Sequence, residues 1–85
     1  MMKNNLCSTV GINIKILRHI KGMTITDLCE KTKLSSQTIL PIEKGTANPT
    51  LITLHKIARA LNVNVSTLFL EQALMEIYAE EEIDE

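Results

Sequence analysis

The side chains of this chain best equipped for chemistry lie in a polar run between positions 35 and 50. Ser35, Ser36 and Gln37 stand together at the start of one helical pattern, and Lys44, Thr46, Asn48 and Thr50 follow it. A glutamine amide carries a donor and an acceptor at fixed separation, so it can bond a planar edge twice, as it does with adenine N6 and N7. Hydroxyls, a lysine and the first amides of a helix suit phosphate oxygens. No comparable set supports catalysis. His19 and His55 fall on separate helical patterns with no nucleophile or carboxylate constellation beside them, so an enzyme is not expected. Cys7 and Cys29 form neither a metal spacing nor a disulfide framework, and no cofactor motif is present. Neither a metal nor a cofactor is expected.

The elements that must position these groups are helices. The 85 residues suit one domain. Apolar content is 45%, but only Phe69 and Tyr78 are aromatic, so the core must be built from Leu, Ile, Val and Ala. Apolar periodicity predicts five helices. The first runs from about Thr9 to Lys21 after a loose arm at 1–8, with Ser8 or Thr9 as its cap and Gly22 at its end. The second runs from about Ile25 to Thr32, capped by Thr24, with Asp27 in an acidic variant of the capping box. A turn at Lys33-Leu34 leads to the third, about Ser36 to Lys44, capped by Ser35 and stopped by Gly45. Thr50 caps the fourth, whose stripe is Leu51, Leu54, Ile57, Ala58 and Leu61. Ser66 caps the fifth, about Thr67 to Ala79. Two short helices around a turn, each opened by a hydroxyl cap, form the pattern of a helix-turn-helix at about 25–44.

At this point a family resemblance is plain. The pieces KGMT, LCEKTKLSSQTI, IEKGTANPTLITLHKIARAL and VSTLF occur in order across about residues 10–70. They resemble the Cro/repressor-type (XRE family) helix-turn-helix transcriptional regulators. The resemblance implies an all-α, five-helix lambda-repressor-like DNA-binding domain at 9–70. Helices 2 and 3 form its motif, and a C-terminal dimerisation helix follows. It implies DNA contacts from Arg18, Thr24, Ser35, Ser36, Gln37, Pro41, Lys44, Thr46, Asn48 and Thr50, with Ser36 and Gln37 at base edges. Glu43 resembles the family's acidic residue at the end of helix 3, which orders local structure. Short relatives of this shape resemble phage repressors and the controller proteins of restriction-modification systems.

Three departures narrow the match. Ile25 stands where the family has a phosphate-binding glutamine, and Leu40 stands on the side of helix 3 expected to be polar. Pro41 replaces a polar base-reading residue. A proline in a helix interior removes one N–H and costs about 3 kcal/mol or more, so helix 3 should be kinked or shortened there. Only apolar contact with a thymine methyl remains for position 41. Ile20, Ile25, Leu40 and Ile52, if exposed together, would form a patch for a protein partner. That is the alternative: a protein-binding module, antitoxin-like or inhibitory, with weakened DNA reading.

Charge favours DNA. Net charge is −1, but residues 1–70 carry nine basic and three acidic residues (+6), whereas 71–85 carry seven acids and no base (−7). A basic body with an acidic tail follows, the tail keeping clear of DNA. Helix 5 leaves Leu70, Leu74, Ile77 and Tyr78 as an apolar seam suited to a homodimer interface. Two copies would place their reading helices about 34 Å apart, one duplex turn, on a palindromic operator. No apolar run approaches about 18 residues, so no membrane span is expected, and a cytoplasmic location is. The sequence therefore reads as a DNA-binding repressor or controller acting as a homodimer.

Overall fold

In the computed structural model, which describes residues 6–71, four α-helices and one short 3-10 helix surround a single aliphatic core, with no strand among the described residues. The helices are α1 (Leu6–Ile20), α2 (Ile25–Thr32), α3 (Ser36–Lys44) and α4 (Leu51–Ala60), and the 3-10 segment is Val65–Phe69. Val10, Ile14, Leu17, Leu28, Ile39, Ile42, Ile57, Leu61 and Leu68 fill the core. Helices α1 and α3, and α4 with its C-cap Leu61, present these side chains at three- and four-residue spacing, which places them on one face, and α2 contributes Leu28.

The caps explain where the helices begin and end. Thr24, Ser35 and Thr50 each accept a hydrogen bond from the backbone N–H three residues on. At Thr24 the capping box is complete: Asp27 N–H donates to Thr24 Oγ1 (3.0 Å) and Thr24 N–H donates to Asp27 Oδ2 (2.9 Å). The α1 terminus closes in a Schellman motif, with Gly22 N–H donating to the His19 carbonyl and Met23 N–H to that of Arg18. The same pair of bonds recurs after α3, at Gly45 and Thr46, and after α4, at Asn62 and Val63. Lys33 ends α2 in the left-handed region (φ 63°), and its N–H donates to the Cys29 carbonyl.

Several expectations need correcting. Helix α1 begins at Leu6, so Ser8 and Thr9 lie inside it rather than capping it, and 6–8, expected in a loose arm, are helical. The reason is packing. The first turns of α1 lie against the end of α3, where a Cβ on Gly45 would come within 3.0 Å of Ser8 Cα and Oγ. Helix α3 is not shortened at Pro41 but runs unbroken to Lys44. The carbonyl that loses its donor belongs to Gln37, in the exposed first turn, where water can bond it. Ile39 and Ile42 are buried on either side of the proline and hold the helix down. Leu51 was expected in the buried stripe of α4 but is 67% exposed. The expected fifth helix is represented by the 3-10 segment Val65–Phe69. Leu74, Ile77 and Tyr78, the rest of that helix and the acidic tail, lie outside the described residues.

Two features were invisible in the sequence. Asn13 is buried in α1, and its Nδ2 donates to the carbonyls of Leu68 (2.8 Å) and Leu70 (2.7 Å). It thereby ties the 3-10 segment to α1. Gly11 sits where α1 crosses α3. A Cβ there would lie 2.3 Å from the Ile42 carbonyl oxygen and 2.7 Å from that of Glu43. Backbone cannot yield cheaply, so the crossing requires glycine. Gly11→Ala should cost about 1–3 kcal/mol from overpacking, despite alanine's better helix propensity. Urea denaturation checks this, and an alanine variant as stable as the parent would show that α1 and α3 can separate at no cost.

Candidate nucleic-acid interface

Most of the groups expected to bind nucleic acid occupy the N-terminal ends of α2, α3 and α4 and the loop between the last two, with Pro41 inside α3 and Lys44 at its C-terminal end. Thr24, Ser35, Ser36, Gln37, Lys44, Thr46, Asn48 and Thr50 are all exposed, and Pro41 is half-buried. On α3 the cap is Ser35, whose Oγ accepts from the Thr38 N–H and lies 3.2 Å from the Thr38 hydroxyl. Ser36 and Gln37 precede that bonded amide, so their backbone N–H groups belong to the unsatisfied first turn. Their side chains project from the end of the helix that can enter a groove first. Thr38 and Leu40, not singled out as contacts from the sequence, are also exposed on this helix. The outward 3.6-residue face of α3 was the signal that could have found them.

The hydroxyls differ in what they still offer. The Thr24 hydroxyl oxygen accepts within its capping box, and its proton faces the Asp27 carboxylate, so an anion there must compete for it. Thr50 donates to the Thr53 hydroxyl (3.0 Å), and Thr46 donates to the Pro41 carbonyl (3.3 Å). A phosphate at either threonine must displace that bond or meet the backbone instead. Asp27, bonded by the Thr24 backbone N–H and then by its side chain, has its carboxyl held below the ordinary value of 3.8, so the box stays charged at neutral pH.

Arg18 corrects the sequence reading. It was expected near the DNA backbone, yet it is 8% exposed and turned inward. Its Nε donates to Glu43 Oε2 (2.7 Å), its Nη2 to Glu43 Oε1 (3.1 Å) and its Nη1 to the Met23 carbonyl (2.9 Å). The bidentate pair joins the last turn of α1 to the end of α3, and the guanidinium also holds the loop into α2. Glu43 thus orders local structure, as its family role implied. The apolar patch also comes apart. Ile20 and Ile25 pack against the core, whereas Leu40 and Ile52 stay exposed.

A family model for the Cro/C1-type helix-turn-helix DNA-binding domain matches residues 13–70. The chain belongs to that family. The immunity repressor protein of Bacillus phage phi105 is 39% identical over 67 residues, covering 79% of this chain and 46% of that one. The Escherichia coli transcriptional regulator SutR is 38% identical over 63 residues, covering 74% of this chain and 35% of the regulator. The chain therefore spans less than half the length of either relative. Among solved structures, the restriction-modification controller protein C.Esp1396I superposes with a TM-score of 0.68 at 30% identity, covering 98% of this chain and all of the other. The same controller, as a tetramer with its natural 35 base-pair operator, superposes with a TM-score of 0.67. The controller C.AhdI of Aeromonas hydrophila gives a TM-score of 0.71 at 27% identity, covering 74% of this chain. The family is one of DNA-binding transcriptional regulators rather than enzymes. No helix among the described residues is long and apolar enough to cross a membrane, and none of their His, Cys, Asp and Glu residues group as metal ligands.

The Arg18–Glu43 pair generates a test. Removing one member of a buried pair leaves the other charge uncompensated and costs about 3–5 kcal/mol, whereas replacing both by apolar groups is close to neutral. Arg18→Met should destabilise by that amount, and Arg18→Met with Glu43→Leu should recover most of it in guanidinium denaturation. If Arg18→Met keeps full stability but lowers the salt slope of DNA binding by about one, Arg18 contacts phosphate after all.

Proposed function

We propose that this protein binds operator DNA as a homodimer and controls transcription in the manner of a repressor or controller. The observation that carries the proposal is the exposed, capped first turn of α3, with Ser36 and Gln37 outermost, in a chain of the Cro/C1-type family. In this reading Gln37 bonds a base edge, Ser36 assists, and Pro41 and Leu40 offer apolar contact to a thymine methyl. Thr24, Ser35, Lys44, Thr46, Asn48 and Thr50 hold phosphates on either side, and the duplex register follows from their spacing. The DNA-binding body spans Leu6 to Leu70, and 71–85 is an acidic appendage. The expected location is the cytoplasm, where such regulators meet their operators.

The dimer reading is supported by an apolar surface. Leu70 is 45% exposed where the predicted seam with Leu74, Ile77 and Tyr78 begins. The start of α4 also exposes Leu51 and Ile52, which line an apolar groove of about 330 Å³ with His55 and Val65. Ile52, 71% exposed, fits self-association better than the separate partner patch, two of whose members face the core.

Selection of bound sequences from random duplex DNA at two salt concentrations tests the proposal. The expected result is an enriched palindrome with half-site centres about 34 Å apart. Gln37→Ala should lose about 1–3 kcal/mol of discrimination at one base position per half-site. Lys44→Ala should weaken all sequences alike and reduce the salt slope by about one. No enrichment and a flat salt response would overturn the regulator and favour a protein-binding module on the same fold.

A further inference from the structure

Four cations converge where α2 and α4 end. Lys31, Lys33, Lys56 and Arg59 line one open cleft of about 480 Å³ with Thr32 and Ala60. All four are exposed, and no acid among the described residues lines the cleft. Lys31 and Arg59 occupy the last turns of their helices, where a cation complements the helix dipole. That preference does not explain Lys56, mid-helix in α4, or Lys33, held in the left-handed turn. The cleft also plays no part in the operator contacts proposed above, which sit at helix N-termini, along α3 and in the loop after it. Eight residues of α4 separate Leu51 from Arg59, about 12 Å along its axis.

The chain carries its own complement to this charge. Residues 71–85 contain seven acids and no base. They follow the 3-10 segment, whose Thr67 lines a second groove of about 480 Å³ with Arg59, Asn62, Val63 and Asn64. Arg59 belongs to both grooves, so a path leads from the 3-10 segment to the basic cleft. Ten residues separate Leu70 from Glu80 and can span up to about 33 Å. A tethered segment meets its site at an effective concentration in the millimolar range, enough for a purely electrostatic contact.

We propose that the acidic end of the chain, residues 80–85, docks in cis on the cleft formed by Lys31, Lys33, Lys56 and Arg59 and competes there with nucleic-acid phosphates. Docking neutralises the cations beside the turn into α3, so sequence-independent attraction falls while the reading end of α3 stays uncovered. The competition rests on the DNA-binding reading, but docking does not.

Amide spectra of the full chain and of its Glu80→Gln/Glu81→Gln/Glu82→Gln variant test docking without DNA, so its failure leaves operator binding standing. At about 50 mM salt the variant should shift the amides of Lys31, Thr32, Lys33, Lys56 and Arg59. The difference should vanish near 0.5 M, where the Debye length is about 4 Å. Silence in the cleft, or shifts confined to 36–44, overturns the proposal. Carbodiimide coupling in a mixture of isotopically distinct chains should join Lys31, Lys33 or Lys56 to acids within 80–85 of the same chain. Coupling only between chains overturns docking in cis in favour of a second copy. The variant should bind random-sequence duplex about threefold or more tightly at low salt, and equal affinity overturns the competition.

Discussion

The domain depends on how closely α3 approaches α1. At Gly11 the two helices meet with no room for a Cβ, because the carbonyls of Ile42 and Glu43 already fill that space. About two turns further along α1, Arg18 reaches Glu43 through a bidentate pair and holds the Met23 carbonyl with its remaining arm. A backbone crossing fixes the distance and an ion pair fixes the rotation. Together they leave α3 one orientation, with Ile39 and Ile42 inward and Ser36, Gln37 and Leu40 outward. Every surface used for recognition inherits its position from that clamp.

The clamp also accounts for the tolerance of Pro41. A helix of nine residues with a proline inside it is poor in isolation. Here its start is capped by Ser35, its end is closed at Gly45 and its middle is fixed by two buried isoleucines. Tertiary packing supplies what the lost hydrogen bond withdrew. The consequence falls on recognition. The exposed face of α3 is short, partly apolar and limited to a few hydrogen-bonding groups. Under the proposed function, specificity then rests on few base contacts, on phosphates held mainly at three helix N-termini, and on the geometry of two copies.

Much of this was legible in the sequence because the signals are local. Thr24, Ser35 and Thr50 mark helix starts through bonds that span three residues, and Gly22 and Gly45 mark ends through their left-handed backbone. The start of α1 was misread because Ser8 resembles a cap, while its actual role, close packing against Gly45, depends on a distant segment. Distance explains the other errors. Arg18 and Glu43 are 25 residues apart, and Asn13 and Leu68 are 55 apart. In sequence each polar residue looks like a solvated helix position. Only the fold reveals that Arg18 is paired with Glu43 and that Asn13 is a buried tie.

Amide shift mapping with a selected operator duplex tests the central claim most directly: that the clamp presents the N-terminal end of α3 to DNA. The prediction is that Thr24–Ile25, Ser35–Thr38 and Thr46–Thr50 shift together while the Arg18 Nε resonance keeps its position. Shifts centred on the basic cleft or on Leu51 and Ile52, with the first turn of α3 silent, would contradict it.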